Sequence, residues 1–247
     1  MRVFRSAHFA VLAMLAASAS RVDASPILQL ISGLTTVTVY DNGVGDLDPT
    51  VGAITFVGAV GTFNVNTATG LSYPIVGGTD IASLDLNSID ARTTSTGGAT
   101  LSVALTDTGF TQGLGLPDYL HWAWAGTITQ GDTVSGQGYL SASNLPFATS
   151  SITTGPLGPF AGAFGTPVSP FSSNGTIAHP ALVGPYSMTI VTTITANGAA
   201  TYSGNFSLDN TAVPEPGSMF LLGTGLIGVG TLVRRRFRRD KTRNAPA

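Results

Sequence analysis

Cysteine is absent from all 247 residues, glutamate occurs once, at Glu215, and the sole lysine is Lys241. Without cysteine there is no disulfide, no thiolate nucleophile and no thiolate metal site, so stability has to come from packing. Charged residues make up only 10% of the chain, and its bases crowd the two ends: Arg2, Arg5 and Arg21 at one, seven residues from Arg234 to Arg243 at the other. Between Ser25 and Val213 a single base, Arg92, stands against ten aspartates, a net charge of −9. Such a stretch cannot neutralise a run of phosphates, which excludes nucleic acid as a partner. Histidine is reduced to His121 and His179 beyond the first 24 residues, and no Gly-x-Ser-x-Gly elbow occurs. An enzyme would have to work with Asp, Ser or Tyr, so no enzymatic activity is expected.

What is present begins with two address-like ends. Arg2 and Arg5 precede an apolar stretch from Phe9 to Ala17, followed by small residues up to Ala24. That order predicts a secretory signal peptide over residues 1–24, removed by signal peptidase after passage through the general secretion machinery. At the other end Pro214-Glu215-Pro216 leads into fifteen uncharged, mostly apolar residues, Met219 to Val233, and then into Arg234-Arg235-Arg236-Phe237-Arg238-Arg239. As a helix this segment is roughly 22 Å long against roughly 30 Å of hydrocarbon, a marginal single transmembrane span. The arginines directly after it read as a stop-transfer signal that stays cytoplasmic, with 240–247 as a short cytoplasmic tail. The Gly223-Thr224-Gly225-Leu226-Ile227-Gly228 match to a dinucleotide fingerprint lies inside this apolar segment, lacks the strand and crossover helix such a loop needs, and is discarded.

Pro-Glu-Pro, a short Gly-rich apolar helix and an arginine cluster, in that order from Val213 to Arg239, resemble the PEP-CTERM sorting tail of exported bacterial proteins. The resemblance implies recognition by a membrane-embedded exosortase, a cysteine-protease-like transpeptidase, with Pro214, Glu215 and Pro216 as the recognition motif. It implies Met219 to Val233 as the membrane anchor and Arg234, Arg235, Arg236, Arg238 and Arg239 as the retention signal. The expected location is the cell envelope or the extracellular space, after transient anchoring in the cytoplasmic membrane.

The middle, 25–212, alternates at period two. Thr35–Tyr40, Leu101–Leu105, Leu120–Ile128 and Tyr186–Ile194 each set apolar side chains on one face, and further strands are expected near Ile54–Val57, Gly61–Asn66, Leu84–Ile89, Thr133–Leu140 and Thr201–Leu208. Asp41-Asn42-Gly43, Gly97-Gly98 and Asn197-Gly198 offer the left-handed residues of tight hairpins. The prediction is all-β: an antiparallel β-sandwich or jelly roll, followed by the single C-terminal transmembrane helix. The stretch 146–185 holds seven of the 14 prolines among Phe, Ser, Thr and Gly, and reads as one long loop lying against the sandwich through its phenylalanines.

Three groups of residues are candidate sites. Asp41, Asp46 and Asp48 cluster hard oxygen ligands on a Gly-rich loop, the chemistry Ca²⁺ prefers, but without EF-hand spacing, so a solvated acidic hairpin is the favoured alternative. Asp85 with Asp90, or Asp118 with Asp132, would serve as an acid/base pair, although no spacing singles out either pair. Tyr119-Leu120-His121-Trp122-Ala123-Trp124 holds both tryptophans; parity with Leu120 and Ile128 assigns them to the core and leaves Tyr119 and His121 outward as candidate ligand-binding residues. Together these observations suggest an exported, non-catalytic structural or adhesive protein of the envelope or of an extracellular polysaccharide matrix or biofilm, or alternatively a secreted carbohydrate- or calcium-binding module.

Overall fold

A computed structural model describes residues 25–115 and 117–212. The expected signal peptide, Pro-Glu-Pro motif, transmembrane helix and arginine cluster lie outside the described residues. Thirteen strands follow one another: β1 (Ile27–Ser32), β2 (Thr35–Tyr40), β3 (Ala53–Val60), β4 (Phe63–Leu71), β5 (Ile81–Thr93), β6 (Ala99–Phe110), β7 (Asp118–Thr129), β8 (Thr133–Ser141), β9 (Ile152–Thr153), β10 (Leu157–Ala161), β11 (Val168–His179), β12 (Tyr186–Ala196) and β13 (Ala200–Ala212). Every ladder between them is antiparallel. A seven-stranded sheet in the order β10-β8-β12-β6-β1-β2, with β9 also on β8, faces a six-stranded sheet in the order β11-β7-β13-β5-β4-β3. Among the described residues no helix is long and apolar enough to cross a membrane.

The core follows from the alternation. Leu28 and Leu30 on β1, Leu101, Val103 and Leu105 on β6, and Ile190 and Ile194 on β12 point inward from one sheet; Leu84 and Leu86, Leu120, Trp124 and Ile128, and Phe206 and Leu208 meet them from the other. Trp124 is the hub of the aromatic part. It stacks on Phe206 at 5.2 Å between ring centroids, takes Phe171 and Phe160 edge-on at 5.0 and 5.4 Å, and donates from Nε1 to the Tyr202 hydroxyl at 3.2 Å. Burial pushes the Tyr202 hydroxyl well above the ordinary tyrosine range.

Two expectations need correction. The stretch 146–185 is not one loop: it contains β9, β10 and the twelve-residue β11. Prolines were the misleading signal, since an edge strand tolerates a proline whose nitrogen points away from its neighbour. Two of its phenylalanines reach the sandwich, Phe160 and Phe171 onto Trp124, whereas Phe164 is 88% exposed. Nor do all three expected turns use left-handed residues. Asn42 does, at φ 54°, whereas Gly97-Gly98 and Asn197-Gly198 do not; the tight reversals are instead at Gly33 and Gly61, φ 60° and 57°.

Topology also brings the ends together. The amide of Ser25 donates to Asp107 Oδ1 at 3.1 Å, beside the start of β12, and β13 finishes at Ala212 opposite Asp118, the first residue of β7. Both ends of the described chain therefore leave from one end of the sandwich.

Candidate functional site

Antiparallel register sorts β7 into two chemistries. Its even positions face inward, and its odd positions, Tyr119, His121, Ala123 and Ala125, face outward among polar residues of the adjoining strands. Directly across from Ala123 stand Asn174 on β11 and Ser207 on β13, and Ser207 is opposite Asp85 on β5. The row on one side runs Thr176, His121, Asp209, Ser83, and the row on the other side Ser172, Ala125, Asn205. Because alanine is short, the centre of this face sinks between taller polar neighbours, leaving a hollow of about 340 Å³ over Ala123 and Ala125. A second hollow of about 630 Å³ continues past His121, Asp209 and Thr211 to Ile81 and Gly77.

The polar groups of the trough are held by one another. His121 Nδ1 meets the Thr176 hydroxyl at 2.8 Å and its Nε2 meets the Thr211 hydroxyl at 2.9 Å, so the imidazole is fixed between two strands. Ser83 Oγ donates to Asp209 Oδ1 at 2.5 Å. Asn205 Oδ1 accepts the Ser88 amide at 2.7 Å, at the point where β5 takes a left-handed residue, Ser88 at φ 53°. Burial, and then the neighbouring Asp209 carboxylate, push Asp85 up to about 6. The tilted Tyr119 ring lies 6.1 Å from His121, with 39% of the residue exposed.

Tyr119 and His121 are outward and belong to the trough. Trp124 is buried, and Trp122 is half-buried near the β11 edge, its Nε1 3.5 Å from Ser173 Oγ. The two proposed aspartate pairs are not brought together. Asp90 turns to Asn66 at 3.2 Å; Asp118 and Asp132 sit at opposite ends of β7, the first accepting from Asn210 Nδ2 and the second from the Asn197 amide. The carboxylate that Asp85 does feel is Asp209, 124 residues further on. Its only local signal was the polar alternation Ser207, Asp209, Thr211 along one strand.

In the acidic loop each carboxylate serves backbone amides. Asp46 accepts from Asn42, Asp48 and Thr55, Asp41 from Gly52, and Asp48 from Thr50, at 2.9–3.0 Å. Burial raises Asp41 despite the Gly52 bond, whereas the Thr50 hydrogen bonds lower Asp48. Among the described residues no three His, Asp or Glu side chains converge in a metal-holding group. The loop's visible work is structural: Asp46 Oδ1 and the Leu47 amide take up the outward N–H and C=O of Thr55, covering part of the free edge of β3.

Comparison with known proteins gives two findings. Residues 212–239 match the PEP-CTERM protein-sorting motif, which begins on the last residue of β13. Among solved structures, TmCBM61 in complex with β-1,4-galactotriose is similar at 9% sequence identity, over 66% of this chain and 90% of that one, with a TM-score of 0.26. No curated protein matches the chain.

Proposed function

We propose that this exported, envelope-associated PEP-CTERM protein is a non-catalytic adhesive component of the cell envelope or its polysaccharide matrix, and that it makes contact through the outer face of its six-stranded sheet. The observation that carries the reading is the alanine-floored trough bordered by Asp85, Asn174, Asn205, Ser207 and His121. Its rim offers hydroxyls, amides and carboxylates in rows, the groups that exchange hydrogen bonds with sugar hydroxyls, on an open face long enough for a chain. Both ring nitrogens of His121 are occupied by threonine hydroxyls and Asp209 is held by Ser83, which argues for a fixed binding surface and against a proton relay.

Handling follows the same reading. Signal peptidase removes residues 1–24, the segment 219–233 holds the chain in the membrane while Arg234–Arg239 stay cytoplasmic, and exosortase acts near Pro214-Glu215-Pro216. The intact mass of protein recovered from the native cell surface checks this: a chain from about Ser25 to about Pro216 is expected, and persistence of Arg234 to Ala247 overturns the processing.

The binding test is retention of the exported protein on polysaccharide isolated from its own cells. Retention is expected for the parent and a loss of tenfold or more for Ala123→Leu, which fills the trough. A parent that is not retained, or that releases reducing ends from the polysaccharide, defeats the reading. EDTA is expected to change nothing, because the Asp41, Asp46 and Asp48 carboxylates already serve backbone amides; retention that EDTA abolishes would shift the function to calcium.

A further inference from the structure

A sandwich of two open sheets has four free edges, and here they differ in length and regularity. The edge of β3 is bulged between Phe56 and Gly58 and covered at Thr55 by Asp46 and Leu47. β2 is regular and uncharged but, at six residues, half as long as β11. β10 is five residues long, contains Pro159 and pairs irregularly with β8. The fourth edge, β11, runs in unbroken register with β7 from Val168 to His179 and carries no acidic residue, lysine or arginine. Long, regular, uncharged edges are what folded proteins normally avoid, because they template pairing with another strand.

The direction of the β11 backbone can be read from its start. The Pro167 carbonyl accepts from the Gln130 amide on the β7 side, and N–H and C=O of one strand residue point the same way, so odd-numbered positions face β7 and even-numbered ones face out. Pro170, which has no N–H, falls on the outward set, where it breaks no bond to β7. The set continues with Ser172, Asn174, Thr176 and Ala178. Among the described residues no backbone hydrogen bond outside the β11–β7 ladder involves these four. Beside them the core is thin: Ile177 is 41% exposed and Trp122 half-buried, the latter covered at Gly175, where a Cβ would run into its ring.

We infer that β11 is a self-pairing edge, joining two copies of this chain through an antiparallel β11–β11 ladder about a two-fold axis at Gly175. That register sets Ser172 opposite Ala178 and Asn174 opposite Thr176, so all four outward residues exchange hydrogen bonds with their counterparts and Pro170 is left outside. A second copy is the partner that fits, because the segment is complementary to itself about Gly175 and offers no charge for a charged peptide to recognise. The two-fold runs perpendicular to the joined sheet, so both copies turn their outer faces the same way and the polar trough is doubled. The pairing stands on the edge alone; only its value for avidity rests on the polysaccharide reading.

Sedimentation equilibrium of the exported protein recovered from the cell surface tests it. A particle of twice the chain mass is expected, becoming a monomer with unchanged circular dichroism in Asn174→Pro, which removes an outward N–H and leaves the β7 ladder whole. Because the chain has no cysteine, mixing Asn174→Cys with Thr176→Cys protein provides a second readout that does not depend on the proline variant folding. Disulfide-linked dimer is expected in the mixture and not in either variant alone. A parent that stays monomeric at every concentration, a dimer that survives in folded Asn174→Pro, or a mixture that fails to cross-link overturns the inference. Polysaccharide retention by a monomeric parent would sink the dimer and leave the binding face standing.

Discussion

The two faces of β7 carry opposite designs on one backbone. Inward, Leu120, Trp124 and Ile128 are almost completely buried, and Trp124 alone contacts rings from β10, β11 and β13. Outward, Ala123 and Ala125 are exposed and the side chains around them hydrogen-bond one another. Stability therefore resides on one face and the proposed recognition on the other, so substitutions one residue apart in sequence should have unrelated consequences.

The largest effect is expected inside. Trp124→Ala removes the ring that Phe160, Phe171 and Phe206 pack on and leaves the Tyr202 hydroxyl without its donor, a loss of about 3–5 kcal/mol by analogy with other large-to-small core changes. Urea unfolding measures it, and a loss below about 1 kcal/mol would deny the aromatic cluster its central role.

A smaller effect belongs to the carboxylates caught between the two designs. Asp107 is buried against Ser72, Thr108 and Ser25, yet burial outweighs those bonds and pushes it up to about 6, as it does Asp85. A folded-state value above the ordinary one means that the folded chain binds more protons than the unfolded chain between about pH 4 and 6. Stability is then greatest below the unfolded value of 3.8 and falls as pH rises through about 6. Asp85→Asn is expected to remove its share of that slope and to raise stability at pH 7 by on the order of 1 kcal/mol, discounted for the part of the side chain in water. Unfolding curves across that range check the sign, and an unchanged slope would show that Asp85 is ionised without cost.

The smallest effect on stability is expected on the outer floor. Ala123→Leu should leave the unfolding free energy within about 0.5 kcal/mol of the parent while lowering retention on polysaccharide by about tenfold or more. If stability and retention instead fall together, the separation of the two faces is wrong.

Much of this was legible residue by residue. Alternation placed Leu120, Trp124 and Ile128 inward and Tyr119 and His121 outward, and the nine expected strand segments fall on β2 to β8, β12 and β13, except that Gly61 and Thr62 form the turn before β4. Trp122, given the same parity as Trp124, is only half-buried because its neighbour across the ladder is Gly175 on an edge strand, a lateral fact that no run of residues displays. β11 was hidden by Pro167, Pro170 and its Ser, Asn and Gly content, which disfavour a central strand but suit an edge. The meeting of Asp85 with Asp209 was out of reach, since those residues approach only because β13 lies beside β5.

By itself the sequence determined the sorting motif, the acidic and cysteine-free middle and the inward or outward parity of most strands, because each depends on residues close together in the chain. Tertiary structure decided which strands became neighbours, and with that where the trough opens, which carboxylates meet and which edge is left free. The reason is physical: strand order and register are selected by how the inner faces of distant segments pack, and the outer face inherits whatever rows that packing sets side by side.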